Sequence, residues 1–146
     1  MSARINKEIS RLMRDPITGI SVTVDPSNNR SLTAQVAGPP GTPYEGGVFT
    51  IEMFLPQNYP MEPPKCRFAT DVYHMNIDSL GRICLDILKT DWSPAMQVST
   101  VLLSIQSLLQ DPNPEDPLRN DLASIFIANK KQYNENARQH TRQHAM

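Results

Sequence analysis

The sequence predicts an α+β domain in which a small antiparallel sheet packs against helices. Two observations lead to this class. An amphipathic helical segment is followed by short runs of alternating apolar and polar residues, and the C-terminal half returns to helical periodicity. Consecutive strands with turn-sized gaps form an antiparallel meander. The 146 residues are the size of one domain, so we expect a single domain over residues 1–146.

The first half supplies one helix and the sheet. Ile5, Ile9 and Leu12 recur at helical spacing, and Pro16 ends that helix near residue 15. The strands follow at residues 20–25, 32–37 and 48–55, with a fourth predicted at 65–68.

The second half begins with an irregular stretch, residues 70–97, that shows no periodicity. Irregular segments this long inside compact domains are usually functional. A strongly apolar helix is predicted at 98–109, followed by a proline-rich loop. Two C-terminal helices are predicted at 120–128 and 129–145, the last of them polar and on the surface.

Composition excludes several classes of function. A net charge of −1 gives no sign of attraction to nucleic acid or an anionic membrane. We expect no signal peptide, because no apolar run follows the first charges, and no segment reaches the roughly 20 apolar residues of a membrane span. Two cysteines without a CxxC pair fit a reducing compartment. We therefore expect the cytoplasm, with the nucleus as a second compartment.

The chemistry of the irregular stretch centres on Cys84. Free cysteine is often a small buried hydrophobe, and the residues alone leave that interpretation as open as a nucleophile. No His or Lys is adjacent in sequence to lower the thiol pKa, so the segment does not indicate a Cys-His protease.

The blocks around this cysteine resemble those of the ubiquitin-conjugating enzymes, and the similarity covers nearly the whole chain. The matching blocks are Tyr59-Pro60-Met61-Glu62-Pro63-Pro64-Lys65, Ile83-Cys84-Leu85-Asp86, Trp92-Ser93-Pro94-Ala95 and Asp111-Pro112-Asn113-Pro114. The resemblance implies that family's α/β fold: an N-terminal helix, a four-stranded antiparallel meander and a central helix packed on the sheet.

By this resemblance, Cys84 accepts ubiquitin from an activating enzyme as a thioester, which a lysine amine then attacks, and no cofactor is needed. Asn76 steadies the oxyanion or the loop that frames it, although an asparagine that merely closes a turn remains open. Asp86 and Asp116 orient the incoming lysine, with solvated loop charge as the alternative.

The family's His-Pro-Asn is His74-Met75-Asn76 here. We interpret His74 as structural, bonding loop backbone. Because proline restricts its own φ and the preceding residue, Met75 is expected to leave Asn76 less preorganised.

Within the family, blocks such as Ser27-Asn28-Asn29-Arg30 and Leu80-Gly81-Arg82-Ile83-Cys84 most resemble the member that builds non-degradative ubiquitin chains with a catalytically inactive variant partner. The final segment, residues 133–146, is more similar to the broad-specificity members. Glu52, Phe54 and Arg67 match the positions that hold the variant partner. Strand alternation also turns Phe54 to the face of Glu52, away from the core, although a stray surface phenylalanine, or one covered by a loop, is the alternative.

The resemblance assigns further surfaces. Leu103 and Leu118 match contacts to the carried ubiquitin, and Leu103 follows Leu102, so both cannot face one core. The resemblance also assigns a surface that binds RING-type ligases, formed by Arg4, Lys7, Met61, Ser93, Pro94 and Ala95. A solvated helix face is the alternative for Arg4 and Lys7.

Some alternatives stay open. Met75 is the only support for a non-catalytic scaffold, and a ubiquitin-like modifier could replace ubiquitin. His140 and His144 have a metal-like spacing, but we expect solvated residues because the sequence shows no third ligand, and no metal site is predicted. Cys66 is expected in the core.

Overall fold

The computed structural model describes residues 2–146 and shows a four-stranded sheet covered by helices on one face. The strands are antiparallel in the order β1-β2-β3-β4, as the meander predicts. None of the helices in the described residues combines the length and apolar composition that crossing a bilayer requires. The elements are α1 (Ser2–Arg14), β1 (Ile20–Asp25), β2 (Asn28–Ala37), β3 (Val48–Phe54), β4 (Lys65–Phe68), a short 3-10 helix (Asp86–Leu88), α2 (Val98–Gln110), α3 (Asn120–Ala128) and α4 (Lys130–His144).

The largest difference from the predicted strands is at the first hairpin. β2 begins at Asn28 instead of residue 32, and Asn28 pairs with Asp25. The carboxylate of Asp25 accepts hydrogen bonds from the backbone N–H and the hydroxyl of Ser27, at 2.9 and 2.8 Å. The turn therefore has only two residues between the paired strands, and the hydrogen-bonded ladder of β1 and β2 continues up to it.

The predicted alternation of β3 is confirmed. Phe49, Ile51 and Met53 are buried in the core, where α2 contributes Val101 and Ile105. The intervening side chains point to the opposite face of the sheet, which the helices leave uncovered. β3 therefore separates the core from an open outer face.

Glu8 fixes α1 to the rest of the fold. Its buried carboxylate accepts hydrogen bonds from the Tyr59 hydroxyl at 2.8 Å, the Val98 backbone N–H at 2.8 Å and the Arg4 guanidinium at 3.0 Å. One side chain thereby joins α1, the loop after β3 and the first residue of α2.

The last helix is polar and lies on the surface, as predicted, and it also has one buried stripe that was not predicted from the sequence. Tyr133, Ala137 and Thr141 recur every fourth residue along α4 and are buried. A stripe this narrow is hidden in a composition that is otherwise polar. The absence of a third ligand beside His140 and His144 was a wrong expectation, because the fold brings Asp71 next to both.

We predict that Glu8→Ala lowers the free energy of unfolding by about 2–4 kcal/mol, because it strands the Tyr59 hydroxyl and the Val98 N–H without their acceptor. Urea unfolding measures the change. Glu62→Ala, at an exposed loop position, is the matched control and should stay within about 0.5 kcal/mol of the parent. Equal losses in the two variants would contradict a structural role for Glu8.

Candidate active site

Cys84 lies at the surface, between the bridge that pairs Ile77 with Ile83 and the 3-10 helix. Its backbone N–H donates to the Asn76 carbonyl at 2.9 Å, and its side chain is partly exposed. Cys66, expected in the core, is partly buried and packs against the core, and burial raises its thiol pKa to about 12. Cys84 is the thiol that a large reactant can approach.

Asp116 is the closest polar partner of that thiol. Its carboxylate oxygen Oδ2 lies 3.2 Å from Sγ of Cys84 and accepts a hydrogen bond from it. Burial raises the pKa of Cys84, and the hydrogen bond and negative charge of Asp116 raise it further, outweighing the opposite effect of Lys89. The resting site holds a thiol rather than a thiolate at neutral pH.

Asp86 stands at the start of the 3-10 helix, exposed to solvent. Its carbonyl accepts the backbone N–H groups of Lys89 and Asp91, both at 3.0 Å, so the backbone beside the carboxylate is fixed. Its charge adds slightly to the rise in the pKa of Cys84. The structure thus brings two carboxylates to one thiol, in an arrangement that attracts a cation.

The side chain of Asn76 is buried and committed to the loop that carries Asp116. Its amide nitrogen donates to the carbonyls of Asn113 at 2.8 Å and Asp116 at 3.0 Å, and its oxygen accepts the Asn113 backbone N–H at 2.8 Å. Both amide hydrogens are used in these bonds. Of the roles left open by the sequence, this geometry favours framing the loop.

His74 has the structural role that the sequence indicated. Its Nε2 bonds the Leu108 carbonyl at 2.7 Å, and its Nδ1 accepts the Asn76 backbone N–H at 3.0 Å. Burial lowers the pKa of His74 to about 4, against a smaller upward effect of the Leu108 bond. A neutral imidazole with these two bonds links the segment to α2.

Met75 does not simply loosen the segment, because its backbone has a donor that proline lacks. The Met75 N–H donates to the Tyr133 hydroxyl at 3.1 Å, and its carbonyl accepts the N–H groups of Leu118 and Arg119 at 2.9 and 3.0 Å. The side chain is buried in a small cluster with Leu122 and Tyr133. A buried hydrogen bond to α4 thus replaces the restriction of a proline ring.

Two grooves border the Cys84 loop. Leu103, 47% exposed, lines one with Leu85, and Leu118, 41% exposed, lines the other with Leu88. Leu102 is fully buried, which confirms that Leu102 and Leu103 face opposite ways. The residues predicted to contact the carried ubiquitin therefore lie in the two grooves that contain the sequence neighbours of Cys84, Ile83 in one and Leu85 in the other.

The predicted ligase-binding residues are brought together. Arg4 donates to the carbonyls of Pro94 at 2.7 Å and Met96 at 2.6 Å, and the Trp92 indole donates to the Pro60 carbonyl at 2.8 Å. These bonds tie α1 and both loops into one surface. The surface offers partly or fully exposed side chains of Arg4, Lys7, Met61, Ser93, Pro94 and Ala95.

The predicted partner-binding residues lie on the outer face of the sheet. Glu52 pairs with Arg67 across β3 and β4, with 2.7 Å between oxygen and nitrogen. Phe54 is 44% exposed one pleat further along and lines a shallow groove with Ser31 and Arg67. This apolar ring thus stands among polar groups on a face without covering helices.

Two residues of the site escaped sequence reasoning. Asn113 supplies backbone atoms to Asn76, and Tyr133 supplies the hydroxyl to Met75. Backbone partners carry no side-chain signal. For Tyr133 the sequence offers one signal: its spacing of four residues from Ala137 and Thr141 indicates that it lies on the buried side of α4.

We predict that Asp116→Asn lowers the pKa of Cys84, because removing a negative charge beside the sulfur favours the thiolate. Iodoacetamide alkylation should become faster at pH 8, and the midpoint of its pH profile should move to lower pH. Glu115→Gln, one residue away and exposed, should leave the profile unchanged. An upward move with Asp116→Asn would contradict the assignment.

We predict that Tyr133→Phe lowers the free energy of unfolding by about 1–2 kcal/mol, because the buried Met75 N–H loses its acceptor. In a Met75→Pro background there is no N–H to strand, so the same change should cost less. Urea unfolding of the double-mutant cycle measures this coupling. Purely additive losses would show that the bond is not the cause.

Comparisons with known proteins agree with this geometry. Residues 4–141 match the family described as "Ubiquitin-conjugating enzyme". The chain is 53% identical to "Ubiquitin-conjugating enzyme E2 N" of Drosophila melanogaster, over 98% of this chain and 95% of that protein. It is 52% identical to "Ubiquitin-conjugating enzyme E2 13" of Saccharomyces cerevisiae, over 97% and 93%.

A solved structure shows the same fold. The E2 domain of a Toxoplasma gondii ubiquitin conjugating enzyme superposes with a TM-score of 0.92 at 41% identity, covering 99% of both chains. The fold, the surface cysteine and the sequence identity over nearly the full length lead to one conclusion. The chain belongs to the ubiquitin-conjugating enzymes, thioester-forming transferases that work with ubiquitin, an activating enzyme and ligases.

Proposed function

We propose that Cys84 is the residue that carries ubiquitin, and that the enzyme builds non-degradative chains together with a catalytically inactive variant of the same fold. The observation that carries the first part is the partly exposed thiol of Cys84, which lies 3.2 Å from the carboxylate of Asp116. The loop that carries Asp116 is held in place by hydrogen bonds from the Asn76 side chain.

The first step is an exchange of thioesters. The sulfur of Cys84 attacks the thioester carbonyl that joins ubiquitin to the activating enzyme, gives up its proton, and the activating enzyme leaves as a thiol. Each step transfers an acyl group that is already activated, so a strongly acidic thiol is not required. This agrees with a Cys84 pKa that is raised instead of lowered.

The second step is aminolysis by a lysine. Asp116, and Asp86 at the edge of the site, attract the ammonium form of the incoming side chain and position it beside the thioester. The ammonium loses one proton to solvent, the neutral amine attacks the thioester carbonyl, the carbon–sulfur bond breaks, and a second proton passes from the nitrogen to the sulfur, so that Cys84 is released as a thiol. The same two charges hinder thiolate formation before loading and favour arrival of the acceptor afterwards.

The outer face of the sheet supports the proposed partner. Phe54 offers an exposed aromatic ring, and the Glu52–Arg67 ion pair next to it offers both signs of charge. An aromatic anchor beside paired charges has the composition of an interface hot spot. We propose that an inactive conjugating-enzyme variant binds there and holds the acceptor ubiquitin, while RING-type ligases bind the surface that Arg4 braces.

We expect Phe54→Ala to weaken partner binding about thirtyfold or more, the loss of a hot spot of about 2 kcal/mol. Chain synthesis with the variant partner should collapse, while loading with activating enzyme, ATP and ubiquitin should be unchanged. Val48→Ala is the matched control, since Val48 is 47% exposed on the same face of β3 at its other end.

The outcomes separate the two parts of the proposal. Cys84→Ser should lose the thiol-sensitive adduct and retain at most a stable oxyester. A thiol-sensitive adduct that persists in Cys84→Ser would overturn the assignment of Cys84. Full chain synthesis by Phe54→Ala, with loading intact, would overturn the partner surface alone.

A further inference from the structure

Asp71 meets two histidines of α4, of which His140 is 69 residues away in sequence. His140 and His144 are one turn apart on α4, with ring centroids separated by 4.2 Å. Asp71, which follows β4, approaches them, and its Oδ1 lies 3.1 Å from Nε2 of His140. One ligating atom from each residue lies within 4.8 Å of the other two.

Both sides of this cluster are held in place by the fold. The backbone before Asp71 is fixed because the N–H groups of Ala69 and Thr70 donate to the Thr50 carbonyl, at 2.8 and 3.4 Å. On the other side, α4 is anchored by its buried stripe. The contacts between the two sides continue at Tyr73, whose ring packs against His140 at 6.1 Å and whose hydroxyl accepts a hydrogen bond from Asn136 at 3.2 Å.

We infer that Asp71, His140 and His144 form a binding site for a divalent transition-metal ion, of which Zn²⁺ is the best fit. Two imidazoles and one carboxylate are a common set of three ligands for zinc, with a fourth position open to water. Imidazole ligands favour zinc, copper and nickel over the harder Mg²⁺ and Ca²⁺. The cluster is open to solvent at Asp71 and His144, which gives the ion its path of entry.

The spacing suits such an ion. Bonds of about 2.0–2.2 Å from zinc to nitrogen or oxygen bring two ligand atoms to roughly 3–4 Å from each other. The Asp71–His140 distance is already in this range, and the remaining separations require only small rotations of partly exposed side chains. In the structure Asp71 is hydrogen-bonded to His140, and the His144 ring packs against the His140 ring; a bound ion would take one atom from each of the three.

A metal at this site would join the end of α4 to the chain that leads from β4 into Tyr73 and His74. Ligands that come together only in the folded chain make the bound ion a stabiliser of the fold. The site involves neither Cys84 nor the carboxylates beside it. Its effect is therefore measurable on stability and on binding without reference to transfer of ubiquitin.

The test is titration of the metal-free protein with ZnCl₂ at pH 7.5 by isothermal calorimetry, with Tm measured in parallel. We expect one zinc per chain and a Tm rise of roughly 5–10 °C at a hundredfold excess over Kd. His144→Gln and Asp71→Asn should each weaken binding by about tenfold or more and reduce the rise. Both positions are exposed, so circular dichroism should show an unchanged fold.

Two control variants test whether other side chains of the protein bind the zinc. Glu135→Gln removes an exposed carboxylate from the same helix and should bind zinc as the parent does. Cys84→Ser should also bind as the parent does, because the thiol is not a ligand here. The inference is overturned if the parent binds no zinc at about 100 µM, a concentration in the range of the Kd of weak metal sites. It is also overturned if His144→Gln binds zinc as tightly as the parent does, or if Cys84→Ser abolishes binding.

Discussion

The amide of Asn76 is the contact on which the geometry of the active site depends. The loop after α2 contains Pro112, Pro114 and Pro117, which have no N–H, so it can form few hydrogen bonds of its own. Asn76 satisfies two of its carbonyls and one of its N–H groups from below. Because one of those carbonyls belongs to Asp116, the same bonds set where the carboxylate meets the sulfur. The buried amide of Asn76 therefore sets the position of the Asp116 carboxylate, and with it the negative charge next to the thiol.

The segment that carries Asn76 is itself held from three directions. His74 is tied to α2 through the Leu108 carbonyl, Met75 to α4 through Tyr133, and the Met75 carbonyl to the start of α3 through Arg119. These bonds explain how the chain accommodates methionine where its family resemblance implies proline. A proline ring restricts the backbone locally, whereas this chain fixes it by a hydrogen bond to a distant helix. The position of Asn76 thus depends on how α4 packs.

Much of the fold follows from local patterns in the sequence, and the site follows only in part. The alternation of Phe49, Ile51 and Met53 specifies which face of β3 is buried, so it also predicts that Phe54 faces outward. The cysteine and its acidic neighbours were recognisable from their blocks. Contacts between Asn76 and the Asn113 backbone, or between Asp71 and His140, join residues far apart in the chain. Composition and periodicity describe neighbours along the chain, so they contain no information about such pairs until the elements are packed.

The hydrogen bond from Cys84 to Asp116 has a consequence for how fast oxidants react with the thiol. Peroxides and similar oxidants attack the thiolate, and their reaction is slow with a protonated thiol. A cysteine that stays protonated until an activated acyl donor reaches it is a poor target for sulfenic acid formation. Under the proposed function, the acylated sulfur is a thioester and has no proton to lose. The arrangement therefore keeps a partly exposed sulfur in the form that oxidants attack slowly.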